Sequence, residues 1–481
     1  MDPGSLQAAL DVARYANNNP LNDFPLNSLY QGEGMGALWT ADLANRVEAM
    51  AGQHQTLTHP HSAFEKARWD VQTSMTALAL INRAKAVHFP QQKATVEDLR
   101  GFKQALLDQS EQVFLQKIAT ESSLIAQLRR AESTYSKAVS NGGWHPVDSG
   151  DMMFADHGED VGLLKMRLAA EGYAAGEGNL FDRPLQLALE QYQKVQGLEV
   201  HGKLDNKTQR ALNVPAWKRL RTVRANIARF ESMAHLKTEN HIVVNIPAYN
   251  AEYYQGGEQV WQDRVIVGKT DRRTPQLASK IKKVVFNPSW YVPSTIANRD
   301  ILPRASRDPS YWRRMGYQAY DRSGQVFDLE AGANMSSVFA ENRLRIKQPP
   351  GPSNALGQVK FLFPNKYAVY LHDTPNKKLF GRDQRAFSSG CVRVQEPLKL
   401  AEILFNQQIK RGHRGMQDQS IDQVIAAKKT RSYVLDEPVP VSTIYLTAEP
   451  LASGRVRFHK DIYDYDTADL AARAKSLVPS S

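Results

Sequence analysis

Tyr370–Val394 reads YLHDTPNKKLFGRDQRAFSSGCVRV and contains Cys391, the only cysteine in a chain of 481 residues. His372 lies 19 residues upstream of it. The thiolate is the reactive form of cysteine, and near neutral pH it forms only beside a base, a cation or backbone donors. A histidine within reach takes the proton and can return it to a leaving amine. A lone cysteine is more often a small buried apolar side chain than a nucleophile, so its neighbours decide. Ser388, Ser389 and Gly390 precede it; small residues permit a tight turn whose N–H groups can hold an oxyanion. Arg393 follows two residues later and can grip a carboxylate or brace the loop. Val369 and Leu371 alternate with Tyr370 and His372, which predicts a strand presenting Tyr370 and His372 on one face.

Histidine, a polar gap and then SSGCVR resembles the signature of the YkuD-type L,D-transpeptidases, the cysteine enzymes of bacterial cell walls. Their pattern is a histidine, a gap of variable length and SxGCxR. His372, Ser388, Gly390, Cys391 and Arg393 fall on it, with Ser389 at the variable position. The resemblance implies that Cys391 is the nucleophile and His372 the general base and acid. It also implies that the N–H groups of Gly390 and Cys391 hold the oxyanion, and that the backbone carbonyl of Asp373 orients His372. Ser388, Ser389, Arg393 and Tyr370 are candidates to bind substrate, with Ser388 and Ser389 alternatively shaping the loop and Arg393 alternatively bracing it. The implied reaction begins with a Cys391 thioester on a peptidoglycan tetrapeptide stem and releases D-Ala. A diaminopimelate amine of a neighbouring stem then attacks to give a 3→3 cross-link. Water as acceptor would make the chain an L,D-carboxypeptidase, and a lipoprotein linkage would make it an attaching or cleaving enzyme. A non-catalytic wall-binding protein is the remoter alternative. The resemblance further implies a periplasmic protein acylated by carbapenem β-lactams and working beside cell-wall synthases, with no cofactor and no metal.

The net charge of +11 favours polyanionic partners. No basic run interleaved with aromatics argues for nucleic acid, and an anionic wall polymer fits as well. No apolar run approaches the roughly 20 residues of a membrane span. MDPGSLQ, at the start, shows neither a basic n-region nor an apolar h-region.

Working outward, the expected fold is α+β and multidomain: a helical scaffold, a three-helix peptidoglycan-binding module and a mainly-β YkuD-type catalytic domain with a capping insertion. Residues 1–145 read as helices, with Thr40 capping one of them and another expected over Asp70–Val87. His54, His59 and His61 have no metal-ligand spacing and read as loop residues. Residues 146–214 place Val161, Leu164 and Leu168 on one helical face and Leu185, Leu189 and Tyr192 on a second. Gly197 ends the second helix, and Asp205 caps a third. VGLLKMRLAAEGY, ALEQYQKVQGL and GKLDNKTQRALNV resemble a peptidoglycan-binding module. Residues 215–240 read as a connector helix.

The catalytic domain is expected over 241–415. It opens with a hairpin around Gly256-Gly257 and a strand ending at NPSWYVP, where Trp290 and Tyr291 are candidates to line the substrate cleft or to be core aromatics. A capping insertion over about 294–345 interrupts the sheet. Asn354 and Gly357 fix the shape of QPPGPSNALG, and strands follow over Val359–Phe363 and Ala368–His372. The strands of 416–481 complete the scaffold and catalytic unit, with a closing hairpin of VSTIYLTAEP against RVRFHKDIYDYD and a helical tail after Leu470.

Overall fold

The computed structural model describes residues 2–15, 30, 37–52, 62–86, 94, 96–121, 124–232, 240–255, 258–327, 335–341, 343–413, 416, 419–451 and 453–468. His54, His59, His61, the Gly256-Gly257 turn and the tail after Leu470 lie outside them. The chain divides into two units: Met1–Glu231 with Ala448–Phe458, and Ser232–Thr447 with His459–Ser481.

In the first unit, helices Pro3–Tyr15, Ala41–Met50, Ala63–Ala86, Val96–Leu107 and Glu111–Glu121 enclose a core that includes Leu6, Leu43, Val71, Leu78 and Phe102. Thr40 accepts the Leu43 N–H as the first-turn cap. The helix expected from Asp70 instead starts at Ala63. Ser62 and Glu65 exchange side-chain and backbone hydrogen bonds there, a reciprocal cap that satisfies two first-turn donors and extends the helix toward its N-terminus. Asp70 is buried within it and accepts the Leu38 and Trp39 N–H groups and the Tyr30 hydroxyl. Helices Glu159–Ala169, Arg183–Gln196 and Asn206–Leu212 form a second core around Leu164, Leu168, Leu185, Leu189, Tyr192 and Leu212. Asp182 and Asp205 cap the last two by accepting the Leu185 and Thr208 N–H groups, and Gly197 ends the middle helix in the left-handed conformation at φ 67°.

The hairpin of Ala448–Pro450 with Val456–Phe458 also belongs to this unit. Arg457 donates to the Val195 and Lys194 carbonyls and Arg455 to the Glu171 and Gly172 carbonyls. The closing hairpin is therefore shorter than expected. Val441–Ile444 run instead in a 14-residue strand of the second unit.

In that second unit the strands are β1 (His241–Asn245), β2 (Asn250–Gln255), β3 (Glu258–Gly268), β4 (Leu277–Phe286), β5 (Trp290–Tyr291), β6 (Gln318–Tyr320), β7 (Val326–Phe327), β8 (Arg345–Gln348), β9 (Val359–Leu362), β10 (Leu371–His372), β11 (Ala386–Ser388), β12 (Val392–Val394) and β13 (Arg431–Ile444). The main sheet runs β11-β3-β12-β10-β9-β4-β13-β1-β2, and β2 also pairs with β3. The pairings thus close on themselves, with β11 appended to β3. Closure leaves one face of each strand inside, and alternation decides which residues occupy it. Val265 and Val267, Val359 and Phe361, Leu371, and Val392 and Val394 fill that core with Leu400, Ala401, Leu404 and Phe405 of helix Pro397–Lys410. Tyr370, His372, Cys391 and Arg393 are their alternates and share the opposite face.

The insertion has its own four-stranded sheet, β5-β8-β6-β7, and its own core of Trp290, Ile301, Leu302, Trp312, Tyr317 and Phe339. It is wider than the expected 294–345, because β5 at Trp290 pairs with β8 through Gln348. Asn354 closes its base. Its buried amide donates to the Pro288, Gln348 and Pro349 carbonyls, so the Pro- and Gly-rich turn is held by side-chain bonds where no ladder exists.

Candidate active site

β10 lies between β9 and β12 and sets the geometry. His372 pairs with Arg393 on parallel β12 and with Lys360 on antiparallel β9. Tyr370 adjoins Cys391, since its carbonyl accepts the Val392 N–H at 3.1 Å. Cys391 is therefore the diagonal neighbour of His372 on one face, a separation of roughly 7–8 Å between backbones that side chains can bridge. The strand expected over Ala368–His372 is cut to Leu371–His372. Ala368 has φ 54°, and Asn365 takes up the local backbone by donating to the Phe363 and Val369 carbonyls.

His372 is buried, at 4% exposure. Its Nδ1 lies 2.5 Å from the carbonyl of Asp373. A carbonyl can only accept, so Nδ1 carries the hydrogen and Nε2 keeps the basic lone pair. Burial, aided by Arg393, Lys360 and Lys377, pushes the imidazole down to about 3. Cys391 is half-buried. Burial pushes its thiol up, against the opposing pull of the Tyr370 N–H, Arg393, the Tyr370 hydroxyl and Lys360. Both shifts disfavour a thiolate–imidazolium pair at rest.

Asp373 contributes more than its carbonyl. Its buried carboxylate accepts the Gln358 N–H at 2.8 Å and the Lys377 ammonium at 2.6 Å, and Lys377 also donates to the Gln395 carbonyl. Gly357 makes room for this. At φ +57° a β-carbon there would sit 2.2 Å from Asp373 Oδ2. Gly357→Ala is expected to lose about 1–3 kcal/mol of stability and to slow acylation of Cys391 roughly tenfold or more by displacing the His372 carbonyl partner. Melting temperature and adduct-formation rate check both.

The cysteine loop departs from one expectation. The Gly390 N–H donates to Ser388 Oγ at 3.1 Å, and Ser388 Oγ donates to the Cys391 carbonyl at 2.5 Å. Gly390 is therefore not a free oxyanion donor. Its φ of +116° makes the turn, and its carbonyl accepts from Thr274 at 2.9 Å. The Cys391 N–H has no partner among the described residues and is the remaining donor. Ser388, expected to bind substrate or shape the loop, is 2% exposed and shapes it. Ser389 is exposed.

Tyr370 packs against both the main core and the insertion core, and its ring meets His372 edge-on at 5.6 Å. Trp290 is in the insertion core, against which Tyr370 packs, whereas Tyr291 is 60% exposed. Arg393 is half-buried, and its Nε, closed to solvent, has no hydrogen-bond partner among the described residues.

Sequence reasoning missed three residues here. Lys360 joins the site only through the β9–β10 register. Thr274, fully buried, accepts the Gly268 N–H as well as holding Gly390. The Tyr463 hydroxyl accepts the Thr274 N–H and donates to the Gly268 carbonyl. None has a local motif; only the ladder register of Lys360 could have been anticipated, from a correct pairing of β9 with β10.

Residues 239–408 match the family described as "L,D-transpeptidase catalytic domain". Residues 157–212 match the one described as "Putative peptidoglycan binding domain". A Haemophilus influenzae protein named "Putative L,D-transpeptidase" is 41% identical over 227 residues, 47% of this chain and 45% of the relative. The chain therefore spans about half the length of the curated relative it matches. Among solved structures, an L,D-transpeptidase from Mycobacterium smegmatis is 15% identical over 43% of this chain and 58% of its own, at a TM-score of 0.21. An avibactam carbamoyl enzyme, Ldtfm, is 12% identical over 34% and 44%, at 0.19.

Proposed function

We propose that the chain cross-links peptidoglycan stems 3→3 through a thioester on Cys391; the match of residues 239–408 to the L,D-transpeptidase catalytic domain and of residues 157–212 to a peptidoglycan-binding domain supports this reading. The observation that carries the reading is the His372–Asp373 carbonyl bond, which leaves a basic Nε2 on the sheet face of the single cysteine. His372 takes the thiol proton as sulfur attacks the carbonyl of the third stem residue. The Cys391 N–H holds the oxyanion, a role worth about 3 kcal/mol in such sites. The imidazolium then gives its proton to the departing D-Ala amine, leaving the thioester. The side-chain amine of diaminopimelate on a second stem attacks, His372 takes the proton from that amine, and the thiol returns as the cross-link forms. Ser389, Arg393, Tyr370 and Tyr291 are the substrate contacts, and Trp290 supports Tyr370. The site is periplasmic in this reading, works beside cell-wall synthases and is acylated by carbapenems. No described helix is long and apolar enough to cross a membrane.

Incubation with disaccharide-tetrapeptides followed by mass spectrometry tests this. The expected product is a dimer lighter by one D-Ala than two monomers. Tripeptide with free D-Ala and no dimer would make the chain a carboxypeptidase, and no product from folded protein would refute acyl transfer to either acceptor.

A further inference from the structure

Two cations flank the base, and the reaction above leaves one of them without a role. Lys360, His372 and Arg393 form one register row across β9, β10 and β12, so their side chains share the outer face with Cys391. Neither cation makes an ion pair among the described residues. Arg393 Nε is closed to solvent without a hydrogen-bond partner. The half-buried Lys360 ammonium stands 5.7 Å from the centre of the Tyr370 ring. Burial pulls both groups below their ordinary range, and only the charge of a Cys391 thiolate opposes this. The carboxylate adjoining His372, that of Asp373, is already held by Lys377 and the Gln358 N–H. A desolvated cation without a counter-ion is costly. A neutral resting thiol offers none, and even a thiolate would balance one of the two.

We propose that Lys360 and Arg393 form a carboxylate subsite beside Cys391, filled by a carboxylate of the acyl-donor peptide. A guanidinium fork and an ammonium point charge suit a planar carboxylate. In a peptide whose C-terminal residue departs, that carboxylate lies one residue from the attacked carbonyl. An anion between the two cations also relieves the repulsion on His372, which further faces the Cys391 thiol, Lys377, the Asp373 carbonyl and the Tyr370 ring. Donor binding thereby strengthens the base that the next step needs. The identity of the ligand rests on the proposed acyl transfer; the subsite itself does not.

The test compares alkylation of Cys391 by iodoacetate and by iodoacetamide at one pH, with glutathione as reference. The two reagents differ in a carboxylate against a carboxamide. In wild type the iodoacetate-to-iodoacetamide rate ratio is expected to exceed that of glutathione roughly tenfold, in line with one unit of electrostatic preference. Lys360→Met should bring it back to the glutathione value and Lys360→Arg should keep it, with melting curves confirming that both fold. A wild-type ratio equal to that of glutathione overturns the subsite without any variant. A raised ratio unchanged in Lys360→Met overturns it as a two-residue site. A second arm offers tetrapeptide donors ending in carboxylate or carboxamide. Turnover of neither, with the alkylation preference intact, refutes the transpeptidase reading while leaving the subsite standing.

Discussion

Cys391→Ala is expected to abolish both cross-linking and covalent capture of a carbapenem. Turnover should fall by on the order of 10⁴ to 10⁶, the scale seen when a nucleophile that acts as one unit with its base is removed. No other side chain can substitute, because this is the only cysteine in the chain and the neighbouring Ser388 hydroxyl is sealed into the loop between the Gly390 N–H and the Cys391 carbonyl. The fold should survive. Cys391 is half-buried and packs only at the edge of the main core, so losing one sulfur is expected to cost no more than about 1 kcal/mol. Intact-protein mass after carbapenem treatment, wild type beside the variant, reads the first part, and a melting curve reads the second. A drug-sized adduct on the folded variant would move the nucleophile elsewhere.

His372→Ala is expected to lower turnover by roughly 10³-fold, within the range general acid–base catalysis supplies, and its pH behaviour distinguishes base from brace. The imidazole is pushed down to about 3 and the thiol is pushed up. Between those limits both groups are neutral, so a pre-formed thiolate–imidazolium pair does not contribute. Alkylation of wild-type Cys391 by iodoacetamide should therefore be slow at pH 6 and rise with pH through 8 without levelling, because each step up deprotonates more of a thiol whose transition lies above its usual range. Acylation by substrate should be flat over pH 5–8, because His372 stays a free base throughout and takes the proton only as sulfur attacks. A fast alkylation plateau already present at pH 6 would show an ion pair and contradict this assignment. His372→Ala should lose the flat acylation profile and follow the thiol titration instead.

Part of this was legible along the chain. SSGCVR and its upstream histidine mark the proposed nucleophile, its proposed base and the turn glycine, and alternation through VYLH places Tyr370 and His372 on one face. The caps Thr40 and Asp205 and the Gly197 stop are local chemistry, so they hold wherever the helices sit. The differences arise where a residue's pattern does not name its partner, whether near or far in sequence. Gly390 looked like a free donor because its N–H is adjacent to the nucleophile, yet Ser388 folds back to claim it. VSTI looked like half of a terminal hairpin because its alternation is strand-like, but a strand pattern does not name its partner. It pairs instead with β4 and, in parallel, with β1.

What the amino-acid order supplies, then, is which side chains are candidates for the proposed acyl transfer and which face of a strand they occupy, since both follow from residue type and a period of two. It also supplies the helix starts at Thr40 and Asp205, where the cap and its N–H are three residues apart, though not the start at Ala63. What needed the folded chain is everything that depends on register between strands far apart in sequence. Pairing β9 with β10 and β10 with β12 puts Lys360 and Arg393 on either side of His372. The sheet closing on itself turns that row outward, toward the insertion core that meets Tyr370. Thr274 and Tyr463, 189 residues apart and both outside the ladders, also meet only in the folded chain. A shift of one residue in any of these ladders would keep every local motif and reverse the face on which it stands.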